Sequence, residues 1–202
     1  MGMDIIVFDG VYIPSDDSLL LAEYILRENR KFNMALDVGC GCGFLTLLLA
    51  NKANYVLAVD LNPMAVANTK VNAHLHGLLD RVDVLCADLL YAIRSGKFFD
   101  LIVFNPPYVP ENELDMLIPF WERISWCGGH DGRQVIDRFL SVISEYVRAG
   151  SMVLMVQSDI SNFYVTVNKL KALGFKVEII NRKKFFFEEL CVVRAVKRRL
   201  GC

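Results

Sequence analysis

The sequence predicts an α/β fold: a doubly wound, mainly parallel sheet of seven strands that closes in a C-terminal antiparallel hairpin. Three observations predict it. Five short runs rich in Val, Leu and Ile are each bounded by Gly, Pro, Asp or Asn, the pattern of strands buried on both faces. Helical patterns separate most of these runs, and strands alternating with helices imply a parallel sheet covered on both sides. After Gly174, two strand-like runs follow with no helix between them.

In chain order, Ile5–Val11 reads as a short extended segment and Ser15–Leu26 as a helix with Ser15 as N-cap. Ala35–Val38 is the first strand and Phe44–Lys52 its helix. Val56–Val59 then leads into helix Met64–His76, and Val82–Cys86 and Leu101–Phe104 supply the third and fourth strands. Gln134–Val147 reads as a helix, Met152–Val156 as the fifth strand, and Ser161–Leu173 as a helix stopped by Gly174. Phe175–Asn181 and Leu190–Lys197 form the closing hairpin. No repeat, low-complexity tract or linker interrupts this order. The economical assignment is one domain over 1–202, with 1–33 as an N-terminal extension and helix and 34–202 as the core.

The 202 residues are 54% hydrophobic with a mean hydropathy of +0.35, apolar for a soluble domain. Stretches such as Phe44–Ala50 and Ser151–Val156 fall far short of the ~20 residues that span a bilayer. Asp4 and Asp9 stand where a signal peptide would be basic, so the expected location is cytoplasmic. A sheet buried on both faces accounts for the excess, as would an apolar patch kept for a partner protein. Net charge −1 and pI near 6.3 give no general attraction for a polyanion. Arg182–Lys184 and Lys197–Arg199 are local basic patches whose simplest account is a solvated strand end or tail. Cys40, Cys42, Cys86, Cys127, Cys191 and Cys202 include no Cys-x-x-Cys pair, which speaks against a structural zinc site and for reduced, mostly buried thiols.

Asp37-Val-Gly39-Cys-Gly41-Cys-Gly43 follows the first strand and opens a helix. Glycines there permit a tight turn and a close approach of backbone to ligand, and the free N–H groups of the helix start favour an anionic group. The third glycine comes one residue earlier than in the dinucleotide fingerprint Gly-x-Gly-x-x-Gly. The loop resembles the S-adenosylmethionine loop of class I methyltransferases, where Asp37 would suit the cationic end of the ligand's amino acid portion. Asp60, with Leu61 after it, ends the second strand about twenty residues on, where an acid can take both ribose hydroxyls. Asp88 is placed to accept from an adenine amino group, with Leu89 beside it for backbone and apolar contact. Helix capping competes for both acids, and Asn62-Pro63 is itself a good helix start.

Asn105-Pro106-Pro107-Tyr108 directly follows the fourth strand, at the carboxyl end of the sheet where ligands react. The Asn105 carboxamide oxygen and the Pro106 carbonyl can accept the two N–H groups of an amide or aryl amine. Such a nitrogen is a poor nucleophile because its lone pair is delocalised, and this grip would aim the pair at a methyl carbon. The prolines hold the acceptors stiffly, Tyr108 can stack on a flat group, and the work is mostly orientation and fixed dipoles. A rigid turn after a strand is the bland alternative. The order of glycine loop, Asp60, Asp88 and tetrapeptide weighs against it.

Together these residues resemble the nitrogen-directed class I methyltransferases, whose Rossmann-like sheet also ends in an antiparallel strand. Val11-Tyr-Ile-Pro14-Ser-Asp16-Asp17-Ser18 and Trp126-Cys-Gly128-Gly129-His-Asp131-Gly132-Arg133 narrow the resemblance to the small eukaryotic and archaeal release-factor glutamine methyltransferases, related to HemK. Asp16 departs from that family's usual Glu. The resemblance runs nearly end to end. It implies S-adenosyl-L-methionine as methyl donor and, as substrate, the glutamine of the Gly-Gly-Gln loop of a class I translation termination factor. It also implies a small zinc-ribbon activator protein forming a heterodimer beside the third strand, here Arg81–Ala87. Asn105 and Pro106 would hold the amide with Tyr108 packed beside it, and Asp17 and Ser18 would close the cofactor pocket. Gly128, Gly129 and Gly132 would shape the rim, or form no more than a flexible loop.

Two rival classes remain open at this level. A nucleic-acid amino-group methyltransferase with the same tetrapeptide would need a base presented out of its stack and a basic surface or recognition domain. A non-catalytic cofactor-binding subunit would have no use for Asn105–Tyr108. An NAD-linked oxidoreductase is disfavoured by the early third glycine.

Overall fold

Seven strands form one sheet in the computed structural model, which describes residues 4–199; Cys202, counted among the thiols above, lies outside them. The strands are β1 (Phe32–Val38), β2 (Ala53–Asp60), β3 (Val82–Cys86), β4 (Phe99–Phe104), β5 (Val147–Ser158), β6 (Phe175–Lys184) and β7 (Glu189–Lys197). Their order across the sheet is β3-β2-β1-β4-β5-β7-β6. β1 to β5 run parallel, while β7 pairs antiparallel with both β5 and β6. The predicted doubly wound sheet with a closing hairpin is therefore present, and β7 is wedged inside it. The order reverses between β1 and β4. At that switch point the loops leaving neighbouring strands turn to opposite faces and open a crevice.

The helices are α1 (Asp16–Arg27), α2 (Phe44–Ala50), α3 (Pro63–Leu75), α4 (Phe120–Arg123), α5 (Gln134–Val142) and α6 (Phe163–Ala172). One buried cluster joins α1 and α2 to one sheet face through Leu21, Ile25, Leu47, Leu49, Val103 and Leu154. The other joins α5 and α6 to the opposite face through Phe104, Ile136, Phe139, Leu170 and Val193. Burial on both faces takes up much of the apolar excess.

Several element ends differ from the sequence prediction. The helix from Gln134 stops at Val142 and passes through a 3₁₀ turn, Ile143–Glu145, before Val147 opens β5. The Tyr146 hydroxyl donates to the carbonyls of Leu90 (3.0 Å) and Ile93 (3.1 Å), and Val147 pairs with Phe99, which pulls this stretch into the sheet. Ser158 caps a 3₁₀ turn at Asp159–Ser161, so α6 begins later than expected. The short α4 and the 3₁₀ turn Glu113–Leu117 carried no helical signal. Ser15 occupies the N-cap position of α1 but makes no side-chain bond there.

The extended N-terminal segment is a strap laid along α3. Asn72 accepts from Ile6 N–H (3.0 Å) and donates to the carbonyls of Ile6 (2.7 Å) and Cys42 (2.7 Å). Asn68 accepts from Phe8 N–H (2.8 Å) and donates to Ile6 (2.8 Å), and Asn62 donates to Gly10 (3.1 Å). Buried amides satisfied at both ends are the condition for burying them at all. They explain polar residues on the inner face of α3.

Candidate active site

A cavity of about 440 Å³ opens at the switch point, over the carboxyl ends of β1, β2 and β4. Its floor is the glycine loop. Gly39 donates to the Val59 carbonyl at 2.8 Å, which ties the loop to β2. Gly43 has φ +87 and begins α2; a Cβ there would lie 3.1 Å from the Thr69 side chain, so glycine lets α2 and α3 meet. Gly39 and Gly41 line the cavity, while Gly43 stands behind the lining.

Asp60 grips the loop. Its Oδ2 accepts from Gly41 N–H at 2.9 Å and its Oδ1 from Asn62 N–H at 2.8 Å. Burial raises its pKa above the ordinary carboxylate value, opposed by those backbone donors. Each carboxylate oxygen keeps a second lone pair for a ligand hydroxyl. Leu61, an exposed apolar side chain, forms part of the adjoining wall.

Asp37 lies outside the lining. It is fully buried beneath the loop, where Oδ2 accepts from Thr46 Oγ1 at 2.6 Å and Oδ1 has no partner among the described residues. Burial, with Asp60 adding a like charge, pushes this carboxyl up to about 7. Burial likewise raises the Cys40 and Cys42 thiols. They stay protonated, free and small, suited to packing more than to reaction.

Asp88 and Leu89 reach the far wall from the β3 end. Leu89 holds φ 49, a left-handed conformation uncommon for a branched residue. Asp88 Oδ2 is paired with Arg138 Nη2 at 2.5 Å, and that guanidinium also stands 5.4 Å from the centre of the Tyr91 ring. Arg138, in the Val135-Ile-Asp-Arg-Phe run that continues the family-like loop, lines the cavity, a role the sequence did not assign to it. Asp88 and Arg138 are 50 positions apart, so no spacing rule points to the pair.

The tetrapeptide forms the remaining wall, and Asn105, Pro106, Pro107 and Tyr108 all line the cavity. Asn105 Oδ1 is buried without a donor among the described residues. Its amide has a fixed sense. Tyr12 donates its hydroxyl to Asp17 Oδ2 (2.8 Å), and Ser18 donates N–H (2.5 Å) and hydroxyl (3.2 Å) to Asp17 Oδ1. Ser18 Oγ has thereby spent its proton and can only accept, so it takes Asn105 Nδ2–H at 3.3 Å. The carboxamide oxygen is left without a donor, on a side chain that lines the cavity. An unpaired buried acceptor costs about 1–3 kcal/mol, which marks a group kept for a ligand. Asp17 and Ser18 line the cavity, and they also orient Asn105. Tyr12, within a motif noted in the sequence, joins them. Burial foremost, then the charge of Asp17, raises the Tyr108 phenol, so this side chain stays neutral.

The glycines of the Trp126–Arg133 loop bracket the tetrapeptide's exit. Val109 N–H donates to Trp126 O (3.0 Å), Gly128 N–H to Val109 O (2.8 Å) and Glu111 N–H to Gly129 O (3.0 Å). A Cβ on Gly132 would fall 2.2 Å from the Tyr108 carbonyl oxygen, and one on Gly128 2.5 Å from the Gly132 oxygen. Backbone packs directly on backbone here. Arg133, nearly buried, anchors the far end through Ser161 O (2.7 Å), Asp137 (2.8 Å) and Thr166 Oγ1 (3.0 Å). Of the three glycines only Gly129 lines the cavity, next to Trp121 and Trp126.

A family model described as methyltransferase small domain matches residues 14–122. A Methanocaldococcus jannaschii protein that carries the name protein N5-glutamine methyltransferase is 38% identical over 195 residues, covering 96% of this chain and 95% of its own. A release factor glutamine methyltransferase of Clostridium acetobutylicum is 34% identical over 195 residues, covering 92% of this chain and 67% of its own. Among solved structures, a chain from the E. cuniculi Mtq2–Trm112 complex, described as responsible for methylation of the eRF1 translation termination factor, aligns with a TM-score of 0.73. It is 26% identical and covers 93% of this chain and 99% of that one.

Proposed function

The chain belongs to the small methyltransferase-domain family that holds the release-factor glutamine methyltransferases, and from this premise we propose that it methylates the side-chain nitrogen of a glutamine in a class I translation termination factor. The observation that carries the proposal is the orphaned Asn105 Oδ1, on a cavity-lining side chain whose amide sense Ser18 and Asp17 fix.

S-adenosyl-L-methionine, when bound, supplies a methyl group already activated as a sulfonium. The residues present fit such a ligand: a floor of glycines at positive φ, a partly free Asp60 carboxylate for ribose, and Leu61 and Leu89 as apolar walls. Asp88 is offered to the adenine amino group from its pair with Arg138, and Asp37, beneath the loop, makes no contact with the ligand space. On the acceptor side, Asn105 Oδ1 and the Pro106 carbonyl take the two N–H groups of the glutamine amide. Holding both protons in place turns the nitrogen lone pair toward the donor and restricts the amide to a reactive orientation. Pro106 and Pro107 leave little backbone freedom to be lost at that moment. Tyr108, neutral and braced by Gly132, packs against the amide plane.

The relative described in complex with Trm112 suggests a small partner for this chain as well. β3 is an open sheet edge. Met64, Val71 and Leu75 form an exposed stripe along α3 next to it, continued by Leu79. A small protein of zinc-ribbon type that adds a strand to β3 would cover both the edge and the stripe. The expected setting is cytoplasmic; among the described residues no helix is long and apolar enough to cross a membrane.

The deciding experiment is mass spectrometry of termination factor, transfer RNA and DNA after incubation with the chain and methyl donor. One added methyl on the glutamine nitrogen is the expected product. A mark on carbon or oxygen, or on nucleic acid alone, contradicts the assignment.

A further inference from the structure

The β6–β7 hairpin ends in Phe185-Phe186-Phe187-Glu188, and Phe186 and Phe187 are 91% and 88% exposed. Tight hairpin turns ordinarily take Gly, Asn or Asp. Two aromatic rings there serve no turn geometry and gain nothing from burial. The tip is nonetheless well held. Phe185 N–H donates to Glu188 O at 2.8 Å, Ser158 donates to Glu188 Oε2 at 2.8 Å, and Lys183 pairs with Asp16 at 2.5 Å. The rings contact each other edge to face with centres 4.7 Å apart.

Beneath the tip runs a second groove, about 330 Å³, bounded on its inner side by Tyr12, Asp17 and Tyr108. These three residues also line the main cavity, so the groove and the cavity share one wall. A polypeptide that sends a side chain to Asn105 therefore has this groove across one wall of the cavity. The charged residues lining it are Asp16, Asp17 and Glu188. All three already have partners in Lys183, Tyr12 and Ser158. The apolar part of the groove is Phe185, Phe186, Phe187 and Leu190, and its carboxylates repel a polyanion.

We infer that Phe186 and Phe187, with the groove below them, dock an apolar side chain of the protein substrate lying just outside the loop that enters the active site. This rests on the glutamine assignment above and specifies how the protein around that glutamine is recognised. Methyl transfer by the full chain to purified termination factor tests it. The double variant Phe186→Ser/Phe187→Ser is expected to raise KM about tenfold or more, with kcat within about twofold. Affinity for S-adenosylhomocysteine should not change. Phe186→Leu/Phe187→Leu keeps the apolar surface and should stay near the parent KM. Each single Ser variant should move KM in the same sense, which keeps the test open if the double variant fails to fold. An unchanged KM in folded Ser variants overturns the docking surface alone. So does loss of transfer to transfer RNA with none to the factor, which would assign the rings to base stacking. A parent chain that leaves the factor unmethylated overturns the glutamine assignment and this inference with it.

Discussion

One hydrogen-bond polarity governs the candidate site at the level of single residues. Asp17 can only accept, so the hydroxyls of Tyr12 and Ser18 both point to it, and the Asn105 amide is left one orientation. Asn105→Ala removes the unpaired acceptor and is expected to lower kcat about 10²-fold, the scale of losing one fixed dipole or a well-aligned contact. Binding of S-adenosylhomocysteine, followed by calorimetry, should change less than threefold (roughly 0.6 kcal/mol); a parallel loss of binding would give Asn105 a cofactor role instead. Asp37 supplies a prediction about pH. Burial lifts its carboxyl to about 7, above the ~3.9 of an unfolded chain. Between those values the folded protein holds a proton that the unfolded chain releases, so this group's contribution falls as pH rises from about 4 to about 7 and is level above. Asp37→Asn has no such slope. Its Tm relative to the parent should climb across that window, by about 2–4 °C for each kcal/mol in a chain of this size. A Tm difference that is flat with pH would show that Asp37 is not the group responsible.

At the level of elements, the Trp126–Arg133 loop acts as a backbone bracket, where the sequence left open a merely flexible loop. Gly132 and Gly150 both hold positive φ, +70 and +88, but a Cβ on Gly150 meets nothing within 4 Å. Gly150→Ala should therefore cost only the left-handed penalty, about 1–2 kcal/mol. Gly132→Ala carries the same penalty and also drives Cβ into the Tyr108 carbonyl. It should lower Tm further and reduce kcat even at temperatures where the variant is folded; equal effects of the two substitutions would dismiss the bracket. The same elements show what was legible in advance. Strand positions could be read because each apolar run is short and stops at a turn former. The motifs sit in loops at strand ends, so their order along the chain mapped directly onto one cavity. The end of α5 could not be read, because Ile143, Tyr146 and Val147 continue a helical apolar pattern that only contacts with Leu90, Ile93 and Phe99 override. Arg138 on Asp88 and Ser18 on Asn105 were equally hidden, being 50 and 87 residues apart. The motif position of Asp37 predicts a ligand contact, yet the side chain points under the loop toward Thr46.

For the molecule as a whole, the apolar surplus divides between two uses. Burial on both sheet faces takes one share, and exposed surface beside the sheet edge keeps another. Leu75, at the end of α3, and Leu79, in the connection to edge strand β3, are 58% and 51% exposed. Leu75→Glu/Leu79→Glu should keep more of the isolated chain in solution and abolish co-purification with an activator in co-expression. A variant that still retains its partner places the interface elsewhere, and a parent chain that is stable and fully active alone argues against any partner. The position of β7 has a further consequence, for synthesis. β5 and β6 leave the ribosome before the strand that must lie between them. Until β7 arrives, one long edge of β5 stands bare, and the last strand made has to enter between two already formed instead of adding at the rim. The nascent polypeptide is therefore most open to wrong pairing late in translation, and a nonsense codon before Glu189 would leave a sheet with a gap instead of a shorter sheet.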